Sequence, residues 1–274
     1  MDRLASGRSY ALLGQPVAHS RSPALYRALF TWAGIEARYG VMAVAPPDGQ
    51  GILDAIRAAG LAGANLTAPL KERVIPALDA LSPEAAAAGA VNVVVREDGR
   101  WVGHNTDGSG LIAALSSLEA KVRGRKVVVL GAGGTGRGVA EALRRAGVAS
   151  LVLLNRTEAR AQIAAASLGT EAGPLRSDAF SRLARGAELV INCTAGAAAA
   201  AVQALDVSVL APDAAWVDVN YWMSDPPQAD ACRAAGLAFH TGHEMLLYQG
   251  LFAFLLFTDV IAPPEVGAAA IGDR

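Results

Sequence analysis

The stretch Lys126-Val-Val-Val-Leu-Gly131-Ala-Gly133-Gly-Thr-Gly136 decides the fold of this chain. Its apolar, valine-rich first half predicts a buried strand, and the three glycines follow with the spacing of a dinucleotide-binding turn. Gly131 permits a tight turn, Gly133 lets the backbone approach a pyrophosphate, and Gly136 permits close packing of the next helix. The first N–H groups of that helix can bind an anion. The stretch therefore predicts a parallel α/β domain that binds a dinucleotide.

The end of the second strand predicts which dinucleotide is bound. A carboxylate at this position would accept a hydrogen bond from the ribose hydroxyl of NAD and repel a 2'-phosphate. Here Leu151-Val-Leu-Leu is followed by Asn155, Arg156 and Thr157, with Arg160 one helical turn further on. Two guanidinium groups suit a phosphate dianion, so the residues favour NADP(H). The alternative is that both arginines only solvate the start of a helix.

The glycine turn lies in the middle of a 274-residue chain, so a sizeable segment precedes it. We expect an N-terminal α/β substrate domain over residues 1–108, completed by 243–274, and a Rossmann domain over 109–242. The apolar helix over 245–257 is expected to pack back onto the first domain. Strands are predicted at 10–13, 39–44, 62–67, 90–95, 101–103, 126–130, 151–155, 189–192 and 216–219. Helices are predicted at 22–33, 51–59, 70–78, 108–118 and 135–146.

Composition restricts the partners. The net charge of -1 gives no global reason to bind nucleic acid or an anionic membrane, so small molecules are expected. Cys193 and Cys232 are too few for a disulfide framework and lack metal-ligand spacing, which predicts no metal site and favours the cytoplasm. The apolar run 245–257 is interrupted by Gln249 and falls short of the ~20 residues that span a membrane. A monomer and a homodimer are both compatible with these features.

Four polar clusters interrupt the apolar first half of the chain. They are Ser20-Arg-Ser22, Asn65-Leu-Thr67 with Lys71, Asn92, and Asn105-Thr106-Asp107. Each lies at the end of a predicted strand or in a loop, where α/β proteins collect ligand-binding groups. Each also has a structural explanation: Ser22 as a helix N-cap, Asn92 as a strand-end amide, Lys71 and Asp107 as a surface ion pair. Together they suit a small polyhydroxylated acid.

A set of short motifs runs along the chain from residue 14 to about 258: Ser20-x-Ser22, Asn65-x-Thr67-x-Pro69-x-Lys71, Gly89-Ala-Val-Asn92, Asn105-Thr-Asp-Gly108, the glycine turn, Asn155-Arg-Thr-x-x-Arg160 and Met245-Leu-x-x-Gln249. In these motifs and in their order, the chain resembles the shikimate dehydrogenase family. The resemblance implies NADPH-dependent, reversible reduction of 3-dehydroshikimate to shikimate in aromatic amino-acid biosynthesis.

The resemblance also implies roles for individual residues. It makes Lys71 and Asp107 the catalytic pair, and it leaves open whether Lys71 is also the formal proton donor. Substrate-lining residues would be Ser20, Ser22, Asn65, Thr67, Asn92, Tyr221 and Gln249. Cofactor-binding residues would be Gly131, Ala132, Gly133, Gly134, Thr135, Gly136, Asn155, Arg156, Thr157, Arg160, Thr194, Val219 and Gly242.

Three segments depart from the family pattern. Tyr221 is followed by Trp222-Met223 where the family has x-Pro, and the loop over 192–196 differs in the spacing of its glycine. Glu244 stands where the family has glycine near the nicotinamide. It either points away, with His243 as its partner, or marks a changed substrate preference. The alternatives to a shikimate dehydrogenase are a quinate or aminoshikimate dehydrogenase, or a sensor that binds both ligands without turnover. Ser22 favours shikimate as the substrate, and Arg156 favours NADP as the cofactor.

Overall fold

The computed structural model describes residues 7–45, 48–194, 196–223 and 226–272. The chain forms two compact units: one extends to Gly110 and resumes at Leu246, and the other runs from Leu111 to Met245. The elements of the first segment are β1 (Arg8–Gly14), α1 (Ser22–Trp32), β2 (Ala37–Ala43), α2 (Gly49–Ala58), β3 (Leu61–Leu66), α3 (Leu70–Arg73), β4 (Ala80–Leu81), α4 (Pro83–Ala88), β5 (Val93–Glu97), β6 (Arg100–His104) and α5 (Asp107–Ser117).

The remaining elements follow in chain order. They are β7 (Lys126–Leu130), α6 (Gly134–Arg145), β8 (Ser150–Asn155), α7 (Glu158–Leu168), β9 (Glu171–Pro174), α8 (Ser177–Leu183), β10 (Leu189–Asn192), α9 (Ala199–Gln203), β11 (Ala215–Asp218), α10 (Ala229–Ala234), β12 (Ala238–His240), α11 (His243–Thr258) and α12 (Pro264–Ile271). Within the described residues, no helix is both long and apolar enough to cross a membrane.

The first unit is built on a mixed six-stranded sheet with the order β2-β1-β3-β5-β6-β4. The central strand β1 pairs in parallel with β2 and β3, and β5 runs antiparallel to both β3 and β6. Apolar side chains of β1, α2, β3 and α3 form a core on one face of this sheet: Leu13, Ile52, Ile56, Leu66 and Leu70, all at most 2% exposed. The sheet therefore fixes the strand ends from which the polar clusters emerge.

The second unit contains a six-stranded sheet with the order β12-β11-β10-β7-β8-β9, in which every neighbouring pair is parallel. This is the doubly wound order of a Rossmann domain, with the chain reversing its direction across the sheet between β7 and β10. The predicted α/β fold is confirmed. Ligands of such sheets bind outside the carboxyl ends of the strands at this reversal, which here are Leu130 and Asn192.

Both C-terminal helices pack on the first unit; the sequence predicts this for the apolar helix α11, whereas α12 is not predicted. Two glycines make this packing close: a Cβ at Gly250 of α11 would lie 2.4 Å from a Leu25 methyl carbon, and one at Gly267 of α12 would lie 2.7 Å from Leu25. The ring of Phe257 packs against Tyr10 with 4.6 Å between centroids. The last two helices therefore complete the core of the first unit.

The predicted helix over 70–78 is wrong. Helix α3 ends at Arg73, and Ile75–Ala77 forms a single 3₁₀ turn. Pro76 has no N–H to donate to the carbonyl four residues earlier, so the α-helix cannot continue through it. The predicted strand over 90–95 starts later, at Val93, because the Val91 N–H bonds to the carbonyl of Lys71 instead of a strand. The sequence prediction did not include β4, α4, α7, β9, α8, α9, α10, β12 or α12.

Candidate functional site

Lys71 and Asp107 form an ion pair in the first unit. The Nζ atom of Lys71 lies 2.5 Å from Oδ2 of Asp107, and the two side chains are 13% and 6% exposed. The interpretation as a surface ion pair is therefore wrong. Lys71 lies on α3, and Asp107 is the first residue of α5, where the positive end of the helix dipole stabilises a carboxylate. The pair holds an ammonium group in a fixed, largely dehydrated position.

The side-chain amide of Asn92 binds the same carboxylate at its other oxygen. Its Nδ2 atom lies 2.8 Å from Oδ1 of Asp107 and 2.9 Å from Oγ1 of Thr106. Its Oδ1 atom accepts a hydrogen bond of 2.8 Å from the backbone N–H of Thr106. Asn92 is 2% exposed, so these bonds are shielded from competition by water. Asp107 is thus held by an ammonium at one oxygen and an amide at the other.

Gln249 of α11 contacts this cluster from the C-terminal segment. Its Oε1 atom lies 3.4 Å from Nδ2 of Asn92, and its backbone carbonyl accepts a hydrogen bond of 3.1 Å from the Thr106 hydroxyl. Gly110 makes the approach possible, because a Cβ there would lie 2.7 Å from the backbone nitrogen of Gln249. The fold therefore brings Lys71 and Gln249, which are 178 positions apart in the sequence, into one polar cluster.

The two serines lie at the start of α1. The Ser22 backbone N–H donates to Oγ of Ser20 over 3.2 Å. Ser22 is the first helical residue and Arg21 takes the N-cap position, so the interpretation of Ser22 as a simple N-cap is wrong. Thr67 lies beside the end of β1, where its N–H bonds to the Leu13 carbonyl. These hydroxyl groups belong to the same unit as the ion pair.

Asn65 has a neighbour that the sequence reasoning did not identify. The Tyr39 hydroxyl donates a hydrogen bond of 2.7 Å to Oδ1 of Asn65, and the Asn65 Nδ2 atom faces the Asn92 carbonyl at 3.5 Å. No short motif links Tyr39 on β2 with Asn65 on β3. The contact arises because β1 lies between these two strands and the tyrosine crosses it.

The glycine turn of the second unit has a shape that fits a pyrophosphate. Gly131 has a φ of +100°, a backbone conformation that residues with side chains rarely adopt. A Cβ at Gly136 would lie 1.9 Å from the carbonyl oxygen of Gly131. Gly133 precedes α6, and a Cβ there would meet no described atom within 4 Å. The open side of Gly133 and the N-terminus of α6 together form a cradle for an anion.

The end of β8 supports this turn and carries the arginines. Oδ1 of Asn155 accepts a hydrogen bond of 3.0 Å from the Ala132 N–H, which joins β8 to the turn. Arg156, Thr157 and Arg160 are exposed, and the Arg156 guanidinium donates to the Ala197 carbonyl over 3.3 Å. The site thus offers basic groups on the side where a dinucleotide bears its adenosine ribose. The remaining predicted residues of the turn, Gly134 and Thr135, lie in the first turn of α6.

A buried network fixes the loops after β10 and β11. Oδ2 of Asp218 accepts from Asn192 over 2.8 Å, and its Oδ1 accepts from the backbone and the side chain of Asn220 over 2.9 and 2.6 Å. Asn220 also donates to the Thr194 carbonyl over 2.9 Å, and Oδ1 of Asn192 accepts from the Thr194 hydroxyl over 2.7 Å. Asp218 is fully buried, and burial raises the pKa of its carboxyl group against the opposing hydrogen bonds.

Gly242 passes directly beside Val219, another predicted cofactor contact. A Cβ at Gly242 would lie 2.0 Å from the Val219 carbonyl oxygen, so a larger residue would displace that loop. Glu244 follows in the first turn of α11, where Oε2 accepts a hydrogen bond of 3.4 Å from the Ser117 hydroxyl. His243 is one of the alternatives predicted for the contacts of Glu244, and the structure shows a hydrogen bond from Ser117 to Glu244.

Tyr221 lies in the second unit, unlike the other residues predicted to line the substrate. Its ring packs edge-on against Trp222, with 5.1 Å between centroids, and lies 5.9 Å from the ring of His243. Nδ1 of His243 is 2.8 Å from the Thr241 hydroxyl. Tyr221 is therefore part of an aromatic cluster that follows β11.

A Rossmann sheet with a phosphate-binding turn, joined in one chain to a unit that holds a buried lysine–aspartate pair, defines a dinucleotide-dependent oxidoreductase. Sequence profiles described as "Shikimate dehydrogenase substrate binding domain" and "Shikimate / quinate 5-dehydrogenase" match residues 12–94 and 113–219. The chain belongs to the shikimate dehydrogenase family. The resemblance inferred from the motifs is confirmed.

Individual relatives are similar over nearly the whole chain. The shikimate dehydrogenase (NADP(+)) of Symbiobacterium thermophilum is 40% identical over 258 residues, which cover 90% of this chain and 88% of the relative. That of Moorella thermoacetica is 40% identical over 275 residues, covering 96% and 92%. The structure of shikimate 5-dehydrogenase from Thermus thermophilus in complex with NADP(H) and shikimate superposes with a TM-score of 0.84 at 36% identity, covering 96% and 98%.

Proposed function

We propose that this chain is an NADP-dependent shikimate dehydrogenase, which reversibly reduces the 3-keto group of 3-dehydroshikimate to give shikimate. The observation that carries the proposal is the buried Lys71–Asp107 pair, fixed by Asn92 within a cluster of hydroxyl and amide groups. Reduction of a ketone leaves negative charge on its oxygen, and that oxygen must gain a proton. A positioned ammonium stabilises this charge and is a proton source.

Lys71 acts mainly through its charge and position. Asp107 holds the ammonium in place, because the salt bridge and the Asn92 bond fix the carboxylate at both oxygens. Each carboxylate oxygen can accept more than one hydrogen bond, so Asp107 still has capacity for a substrate hydroxyl. In this proposal Lys71 contacts the reacting oxygen, and Asp107 orients both Lys71 and the substrate.

The other polar side chains of the site recognise the rest of the substrate. A cyclohexene acid with several hydroxyl groups needs both donors and acceptors around it, and hydroxyl and amide groups supply both. The residues proposed to bind it are Ser20, Ser22, Asn65, Thr67, Asn92, Tyr221 and Gln249. Oγ of Ser20 and Oδ1 of Asn65 each accept a hydrogen bond from the protein, which limits the orientations in which these groups meet a ligand.

The second unit fits NADP(H), which when bound supplies the hydride that reduces the ketone. The turn at Gly131 to Gly136 binds the pyrophosphate, since Gly133 leaves open space and α6 presents its N-terminus. Arg156, Thr157 and Arg160 bind the 2'-phosphate beyond β8. Thr194, Val219 and Gly242 position the other end of the cofactor, and the Asp218 network keeps their loops in place.

The partners in this proposal are small molecules, and the protein acts as a monomer or a homodimer. We place it in the cytoplasm, where thiols stay reduced, because the chain has only two cysteines, Cys193 and Cys232, which are too few for a disulfide framework. A second candidate function is quinate dehydrogenase, because one matching profile covers shikimate and quinate dehydrogenases together. Glu244, which replaces a family glycine in the first turn of α11, is the departure on which a changed substrate preference would rest.

The deciding experiment compares substrate and cofactor pairs on the purified chain. NADPH absorbance is followed after adding 3-dehydroshikimate, and NAD(P)H formation is followed after adding shikimate or quinate with NADP or NAD. We expect the highest kcat/KM for 3-dehydroshikimate with NADPH. A preference for quinate with NAD would support the second candidate, and binding of both ligands without turnover would make the protein a sensor.

A further inference from the structure

Two hydrogen-bond contacts set the orientation of the Asn65 side chain, which also lies beside the Tyr26 hydroxyl. Its Oδ1 atom accepts the hydrogen bond from the Tyr39 hydroxyl, and its Nδ2 atom faces the backbone carbonyl of Asn92. The carbonyl cannot donate, so the amide nitrogen must lie on that side. Asn65 therefore has its acceptor engaged by the protein, and its amide nitrogen is directed toward the strand end that carries Asn92.

Tyr39 is itself held by aromatic packing. Its ring stacks on Tyr26 with 4.1 Å between centroids and 8° between planes. Tyr26 is fully buried and packs in turn against Phe30 and Phe257, at 6.2 and 5.8 Å. A tyrosine on an edge strand would ordinarily lose its rotamer freedom only at an entropic cost. Here the stack has already restricted the ring, so its hydroxyl is preorganised for Asn65.

We propose that Tyr39 is a positioning residue for the reaction: it fixes Asn65 so that the amide offers an N–H donor, not a carbonyl acceptor, to an oxygen of the substrate. The inference rests on the proposed function, which makes Asn65 a substrate-binding residue. Without the tyrosine hydroxyl, Oδ1 of Asn65 loses its donor, and only the contact of 3.5 Å with the Asn92 carbonyl still disfavours the inverted amide. The site then presents an acceptor for part of the time and binds a substrate oxygen less well.

The first test removes the hydroxyl and keeps the ring, with Tyr39→Phe. The matched control is Tyr10→Phe, because Tyr10 in the same unit also donates a hydrogen bond, to the Phe257 carbonyl over 3.3 Å. We expect Tyr39→Phe to raise KM for 3-dehydroshikimate by ~5-fold, as for loss of one partly buried hydrogen bond, with KM for NADPH unchanged. Tyr10→Phe should keep both KM values. Equal KM changes in the two variants would overturn the inference.

The second test asks whether Tyr39 acts through Asn65. In a double-mutant cycle, Tyr39→Phe should lower kcat/KM in the wild-type background and have no further effect in an Asn65→Ala background. An equal reduction in both backgrounds would show that Tyr39 acts independently and would overturn the inference.

A third variant tests the donor without altering Tyr39. Asn65→Asp keeps the shape and the acceptor for Tyr39 but replaces the N–H donor by an oxygen. We expect at least a ~10-fold weaker Kd for shikimate by calorimetry, as for a charged group facing an acceptor. A wild-type Kd would contradict the donor role. If the wild-type protein neither binds shikimate nor reduces 3-dehydroshikimate, the proposed function is wrong. If it does both, the results for the three variants test only the role of Tyr39.

Discussion

Oδ2 of Asp107 lies 2.5 Å from Nζ of Lys71, while Oδ1 of the same carboxylate lies 2.8 Å from the Asn92 amide. An ion pair with so little exposure is a poor source of stability, because removing both charges from water offsets most of their attraction. Its retention in a site lined by polar groups is better explained by chemistry at the ammonium. This relationship underlies the predictions that follow.

Replacing Lys71 should abolish most of the turnover. We expect Lys71→Ala to lower kcat for 3-dehydroshikimate reduction by ~100-fold or more, because a positioned charge and proton source is lost. KM for NADPH should stay within about twofold, since Lys71 lies in the other unit. Lys121→Ala is the matched control, because Lys121 is exposed in a loop. Near-wild-type kcat in Lys71→Ala would contradict the assignment.

Arg156 should determine the preference for NADP over NAD. Arg156→Ala should raise KM for NADPH by ~10-fold or more through loss of a charge-assisted contact, and leave KM for NADH nearly unchanged. Steady-state kinetics with both cofactors measure this. Arg233→Ala removes another exposed arginine of the second unit, one paired with Asp230, and should alter neither value. If Arg156→Ala weakens both cofactors equally, the arginine does not recognise the 2'-phosphate.

Two glycines of the turn should behave differently when given a methyl group. Gly133→Ala should fold normally, because its Cβ meets no described atom within 4 Å, and should weaken NADPH binding roughly tenfold by filling the pyrophosphate cradle. Gly136→Ala should also lower the free energy of unfolding by about 3 kcal/mol, because its Cβ would overlap the Gly131 carbonyl. Thermal unfolding and NADPH titration separate the two effects; equal stability of both variants would contradict the turn geometry.

The buried Asp218 carboxyl should make stability depend on pH. Its pKa in the folded protein is raised by burial, so the native state holds a proton that the unfolded chain has already released. The contribution of Asp218 to the free energy of unfolding therefore falls as pH rises from the ordinary carboxyl pKa through the raised pKa of the folded protein. The decrease is at most about 1.4 kcal/mol per pH unit. The free energy of unfolding of wild type minus that of Asp218→Asn should decrease with pH across this window. An increase would contradict the sign.

The Rossmann half could be predicted from local sequence because its signals are local. The Val-rich strand, the glycine spacing and the arginines after β8 all act within about 35 residues, and each glycine has the steric role that its position implies. Pro76 is a local signal as well: because it has no N–H, it predicts that helix α3 ends before residue 78.

The contacts that orient the site could not be predicted in this way. Tyr39 meets Asn65 because of the strand order β2-β1-β3, and Asn92 meets Gln249 because α11 returns to the first unit. Such contacts depend on tertiary topology, and no spacing in the sequence encodes them. The sequence predicts Asn92 as a substrate contact, and the structure adds that its amide holds Asp107.

The central claim is tested most directly by kcat/KM of the wild-type chain for 3-dehydroshikimate with NADPH, measured from NADPH consumption and matched to shikimate formed. The account predicts one shikimate for each NADPH consumed and a kcat/KM well above that for any quinate reaction with NAD. No consumption, although NADPH and shikimate both bind, would contradict it.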